Sequence, residues 1–135
     1  MNIELSEKEF RRLLDMVYIG NWVLNSTRGN DRFEDYDNLQ EKMFAQCARL
    51  GMSELYTTWY GHTFPSKAYE DGGIHEAIAD YEDAVFFEIL AEELARRDMH
   101  LEDTDPEDMT ELTNRMDEYI NEFEANGIDN LTIDI

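Results

Sequence analysis

The sequence predicts an all-α domain of four main helices arranged around two central, buried ones. Four separate stretches repeat apolar residues at three-and-four spacing, the period of an amphipathic helix, and helix start or stop residues flank them. In two of them, Met16 to Leu24 and Phe86 to Leu94, apolar side chains surround most of the helix, as packing on several sides requires. Hydrophobic residues make up 42% of the chain, enough for a folded core despite a charged fraction of 32%. At 135 residues the expectation is a single helical domain, 1–135, with one core.

In chain order, Asn2 to Leu5 alternates weakly and is expected as a short extended lead-in. Helix one opens at Ser6, which with Glu9 forms an S-x-x-E capping box for the unpaired N–H groups of the first turn. Phe10, Leu13, Leu14, Val17 and Leu24 form its stripe. Asn21 falls inside that stripe and is expected to be buried, with partners for its amide. Residues 26–31, STRGND, are turn chemistry. Asp31 and Glu34 repeat the capping pattern and predict helix two from about Arg32 to Leu50, with Cys47 as a small buried hydrophobe. A lone cysteine has no partner for an internal disulfide.

Residues 52–73 are aromatic and irregular. Ser53 is expected to cap one or two turns reaching Tyr60, before Gly61, Pro65, Gly72 and Gly73 break any helix. Trp59 and Tyr60 here combine large apolar area with a polar tip and are candidates for a protein-contacting hot spot. Helix three, Ile74 to Arg97, is the predicted axis of the core. Asp105, Pro106 and Asp108 mark the start of helix four: a cap, a first-turn proline and an acid near the positive end of the macrodipole. That helix runs to about Asn126 and stops at Gly127. Residues 128–135 end in a β-prone run, predicted to pair with Asn2 to Leu5 as a two-stranded clasp of the chain termini.

Net charge is −21, and it is unevenly spread. Residues 1–69 carry ten acids against eight bases, whereas residues 70–111 carry sixteen against two, a balance of −14. Such a field repels nucleic acid and anionic membranes, so direct binding to either is not expected, and it favours a basic protein partner. No apolar stretch approaches the roughly 20 residues needed to cross a bilayer, and the N-terminus lacks a basic segment followed by an apolar run. The chain therefore reads as cytoplasmic.

No motif names a reaction, and no catalytic residue, metal site or cofactor is predicted. Glu76, Asp80 and Asp83 share one face of helix three, a solvated acidic surface that also has the ligand types for a hard cation such as magnesium. The paired acidic motifs that a helical metal enzyme needs on facing helices are matched only by helix-start acids. Glu88 falls on the apolar side of helix three and is a second candidate buried polar residue: it is read as ion-paired, with Arg11 or Arg12 within reach, or as exposed where the stripe rotates, ahead of a catalytic or ligand-binding acid. His62, His75 and His100 lack the spacing of a metal or acid–base site.

The reading that follows is a non-enzymatic acidic interaction protein, an adaptor or inhibitor that meets a basic protein through Glu76, Asp80, Asp83, Trp59 and Tyr60. A DNA mimic is one form of it. The alternative is a small helical divalent-metal-dependent enzyme or ligand-binding protein acting on a nucleotide or other small molecule. A third is a homodimer whose interface uses Trp59, Tyr60 and Phe64.

Overall fold

A computed structural model describes residues 1–134. Its main elements are α1 (Glu7–Asn25), α2 (Glu34–Ala45), β1 (Tyr56–Trp59), β2 (His62–Pro65), α3 (His75–Leu101) and α4 (Met109–Asn126). The chain is thus mostly helical, as the apolar spacing predicts. Its residues form two compact units, Met1–Ile78 and Ala79 onward, and α3 supplies its first turn to one and the rest to the other. The buried side chains fall into two clusters, one in each unit.

In the first unit, α1 starts on the predicted capping box. The Ser6 hydroxyl accepts the Glu9 N–H at 3.1 Å, and the Glu9 carboxylate accepts the Ser6 N–H at 3.0 Å. Phe10, Leu14 and Tyr18 of α1 pack with Phe44, Cys47, Leu55 and Tyr69. Tyr69 sits edge-on to Phe44 and Tyr18, with centroids 5.0 and 5.3 Å away, and its hydroxyl donates to Asp15 at 2.9 Å. Asp15 also holds Arg11 at 2.6 Å and Arg12 at 3.9 Å, so both guanidiniums considered for Glu88 are used within this unit. Met16 and Val23 are exposed, which makes α1 a one-sided amphipathic helix and not one wrapped by neighbours.

Helix two begins two residues later than predicted. Asp31 does not cap it, because its carboxylate is taken by the Gly29 N–H at 3.1 Å and by Arg28 at 3.0 Å. The Phe33 backbone is held instead by Asn25, whose amide oxygen accepts the Phe33 N–H at 2.8 Å while its NH2 donates to the Phe33 carbonyl at 3.1 Å. After Ala45 the helix tightens into a 3-10 turn, Gln46–Ala48.

The largest departure is at residues 56–65, where β1 and β2 pair antiparallel, Tyr56 opposite Pro65 and Trp59 opposite His62. Only Ser53–Leu55 is helical in the stretch expected to reach Tyr60 in helical turns. The cause is legible afterwards: Tyr-Thr-Thr-Trp and His-Thr-Phe-Pro are β-branched and aromatic runs separated by two residues. Tyr60 and Gly61 both take positive φ, +49° and +77°, as a type I′ hairpin turn requires. This is the one sheet among the described residues, so the clasp predicted between the termini does not form there. Asn2 to Leu5 and residues 131–134 are irregular and exposed, and an isolated strand pair is marginal in water; Ile135 of the predicted run lies outside the described residues. Gly73, at φ +112°, then turns the chain into α3.

In the second unit α3 runs one turn past the predicted end, to Leu101. Ala95 and Met99 pack on Leu112, with Met116 and Tyr119 beside them, and Phe87 lies 5.5 Å from Phe123. Small residues at Ala91 and Ala95 admit α4 on that side. Phe86 and Ile89, 50% and 57% exposed, point elsewhere, so the predicted all-round burial of this stretch is not found. The second unit's α4 starts at Met109, three residues later than the expected Pro106, and is capped by Asp108, not Asp105: the Asp108 carboxylate accepts the Glu111 N–H at 3.1 Å. Asp105 forms a turn before it, accepting the Glu107 N–H at 2.9 Å. No helix among the described residues is long and apolar enough to cross a membrane.

Candidate functional site

Acidic side chains along α3 behave differently from one end to the other. Towards its C-terminus two of three are tied down, Glu92 to Arg96 at 2.9 Å and Asp98 to Arg97 at 2.8 Å, while Glu93 is exposed. Glu102 and Glu111 both hold Arg115, at 2.5 and 2.7 Å, which raises the pKa of that guanidinium. Burial pushes the Asp98 carboxyl up, but the Tyr119 hydroxyl and Arg97 outweigh it and hold it below its usual range. By contrast Glu76, Asp80, Glu82, Asp83 and Glu88 are all exposed, and none has an ion-pair partner among the described residues.

Glu88 is therefore not the buried carboxylate that its sequence position suggests. The line facing α4 runs Phe87, Ala91, Ala95, Met99, at four-residue steps, and Glu88 stands one position, or about 100°, off it. Among the described residues no group of three or more His, Cys, Asp or Glu side chains converges to hold a metal ion. Of the acids in residues 102–108, Glu102 holds Arg115, and Asp105 and Asp108 accept backbone N–H groups in the turn before α4 and at its start.

The first unit holds a cleft of about 630 Å³. Helix α1 lines it with Tyr18, Asn21 and Trp22, α2 with Asp37, Gln40 and Glu41, and β2 with Thr63, Phe64 and Pro65, while Glu70 stands beside them. Asn21 is buried, and its amide donates to Asp37 at 3.0 Å and Gln40 at 3.2 Å and accepts from Asn25 at 2.7 Å. Asp37 is neutralised by a two-point contact to Arg32, at 2.8 and 2.9 Å, which together with Asn21 and Asn25 keeps its pKa low against the opposing effect of burial. Glu41 accepts the Thr63 N–H at 2.9 Å and faces the His62 ring at 3.0 Å; the backbone contact chiefly, then His62, lowers its pKa. Glu70 is half-buried and has no ion-pair partner among the described residues. The Tyr18 hydroxyl meets His75 at 2.7 Å, and its pKa is raised by burial and by the charge of Glu70. Trp22 stacks on Tyr18 at 6.2 Å and takes the edge of His75 at 4.8 Å.

Trp59 and Tyr60, 68% and 83% exposed, sit at the end of the hairpin and pack edge to face on each other at 4.5 Å. The sequence singled out Asn21 from the cleft but neither Trp22 nor Glu70, and it missed the partners of His62 and His75. Those residues lie from position 18 to 75 with no common spacing, so only the packing of α1, α2 and the hairpin assembles them. The Cys47 thiol is fully buried and its pKa is raised by that burial, the reverse of what a nucleophile needs. Fixed aromatic faces thus stand beside carboxylates in the cleft. No family model matches the chain, and neither a curated protein nor a solved structure matches it.

Proposed function

We propose that the protein is a non-enzymatic interaction protein, an adaptor or inhibitor, that presents the N-terminal half of α3 to a basic surface of another protein. The observation that carries this is the run of five exposed carboxylates from Glu76 to Glu88, all without ion-pair partners among the described residues, on a helix whose later acids Glu92 and Asp98 are paired. A rise of about 1.5 Å per residue sets Asp80 and Asp83 about 4.5 Å apart along the axis. Like charges so placed repel one another, and a cationic surface relieves that repulsion while speeding encounter. A DNA mimic is one form of the same reading, with carboxylates standing for phosphates. Trp59 and Tyr60 would supply apolar anchors in addition to the electrostatic contact.

A partner recovered at low salt should be released steeply as salt rises, and Asp80→Lys with Asp83→Lys should abolish its retention. A salt-insensitive complex, or one indifferent to the double substitution, removes the reading. The second reading, a small-molecule binder, is favoured by the cleft of about 630 Å³. Thermal melts with magnesium, manganese and a nucleotide panel test it, because a ligand that binds only the folded state raises the midpoint.

A further inference from the structure

We infer that the cleft in the first unit receives a single arginine side chain of the basic partner, with its guanidinium against the Glu70 carboxylate and the face of Trp22. This rests on the reading of the partner as basic. The cleft's size, about 630 Å³, is that of a pocket for a side chain or small ligand. Its charges then decide which kind. Asp37 is cancelled by Arg32, and Glu41 is satisfied by the Thr63 N–H and His62, so the carboxylate left over is Glu70. A cation is therefore preferred, and one uncompensated carboxylate is too few for a bare metal ion.

The walls select among cations. Trp22 is 37% exposed, yet its ring is fixed by Tyr18 and His75, and Phe64 offers a second aromatic surface. A planar, weakly hydrated guanidinium stacks on such faces better than the compact ammonium of lysine. The same unit already treats its own arginines this way, with Arg28 over Phe33 at 4.4 Å and Arg11 over Tyr69 at 5.0 Å.

The test titrates a tetra-arginine peptide into the full chain carrying Trp59→Phe, which leaves Trp22 as its single tryptophan reporter. Tetra-lysine and the uncharged isostere tetra-citrulline serve as controls. Tetra-arginine should change Trp22 emission and bind at least about fivefold tighter than tetra-lysine, with no binding of tetra-citrulline. Glu70→Gln, and separately Trp22→Leu read by calorimetry, should lower arginine affinity about tenfold and erase the preference over lysine, with circular dichroism melts confirming that both variants fold. Equal affinity for arginine and lysine, or a preference that survives Glu70→Gln, overturns the inference. Asp80→Lys with Asp83→Lys should weaken both peptides alike and leave the preference intact. If that double variant alone weakens binding, the cleft inference fails and the acidic-helix reading stands. If only the cleft variants do, the acidic-helix reading fails instead.

Discussion

Asn25 joins the end of α1 to the start of α2 through one amide. It is 1% exposed, donates to Asn21 and to the Phe33 carbonyl, and accepts the Phe33 N–H. Asn25→Leu keeps roughly the volume but strands those groups, so urea melts should show a loss of about 2–3 kcal/mol. A loss within about 0.5 kcal/mol would mean that water serves the same groups equally well. Next to it, Asp37 gives the unit a pH dependence of known sign. Its folded pKa lies below the ordinary 3.8, chiefly through Arg32. Its contribution is therefore fully present above about pH 4–5 and disappears as pH falls through the usual carboxylate range towards the folded value. The stability gap between wild type and Asp37→Asn should accordingly shrink from pH 6 to pH 3. A gap that stays constant over that range would show that the charge of Asp37 contributes nothing.

Among the elements, the hairpin turn carries an unfavourable residue. Tyr60 holds φ +49°, a conformation that costs an L-residue about 1 kcal/mol and that Asn tolerates far better. Tyr60→Asn should therefore raise stability by about 0.5–1 kcal/mol in denaturant melts. If Tyr60 is an anchor for a partner, the same substitution weakens the complex, and stability and binding move in opposite directions. Equal or lower stability would mean that its contact with Trp59 outweighs the strain. The hairpin also shows where sequence reading stops. Helix ends at Ser6 and Gly127 were legible because a side chain or backbone need at a fixed offset marks them, whereas the last helix is capped by Asp108, three residues after the expected Asp105, because two acids there offer the same capping chemistry. The strands were hidden because the turn that joins them uses Tyr in place of the usual Asn or Gly, so the glycines and prolines around it read only as helix breakers. The helices' existence followed from spacing; which apolar residues are buried did not. Phe86 and Ile89 have core chemistry but lie off the Phe87–Ala91–Ala95–Met99 line.

At the level of the whole chain, charge was the most legible property and pairing the least. Counting residues locates the acid between positions 70 and 111, but only the structure separates the acids that have arginine partners, Glu92, Asp98, Glu102 and Glu111, from others such as the five exposed ones from Glu76 to Glu88, unpaired among the described residues. That separation leads to a final prediction about salt. Two electrostatic effects oppose each other in the unbound protein: ion pairs that salt weakens and like-charge repulsion that salt relieves. The pairs are mostly exposed, and exposed pairs contribute about 0–1 kcal/mol each. The repulsion arises from 32 acidic residues against 11 basic ones and should prevail. Raising ionic strength from 0.01 to 1 M shortens the screening length from about 30 to about 3 Å. The thermal midpoint should then rise, by about 3–4 °C for each kcal/mol of repulsion removed. Asp80→Lys with Asp83→Lys changes the net charge by +4, from −21 to −17, and should show a smaller rise. A midpoint that falls with salt would place the balance with the ion pairs and take away the electrostatic strain that a basic partner is proposed to relieve. The sign matters because the same salt should dissociate the complex: a protein that salt stabilises alone and strips of its partner is one whose uncompensated acids are kept for that partner.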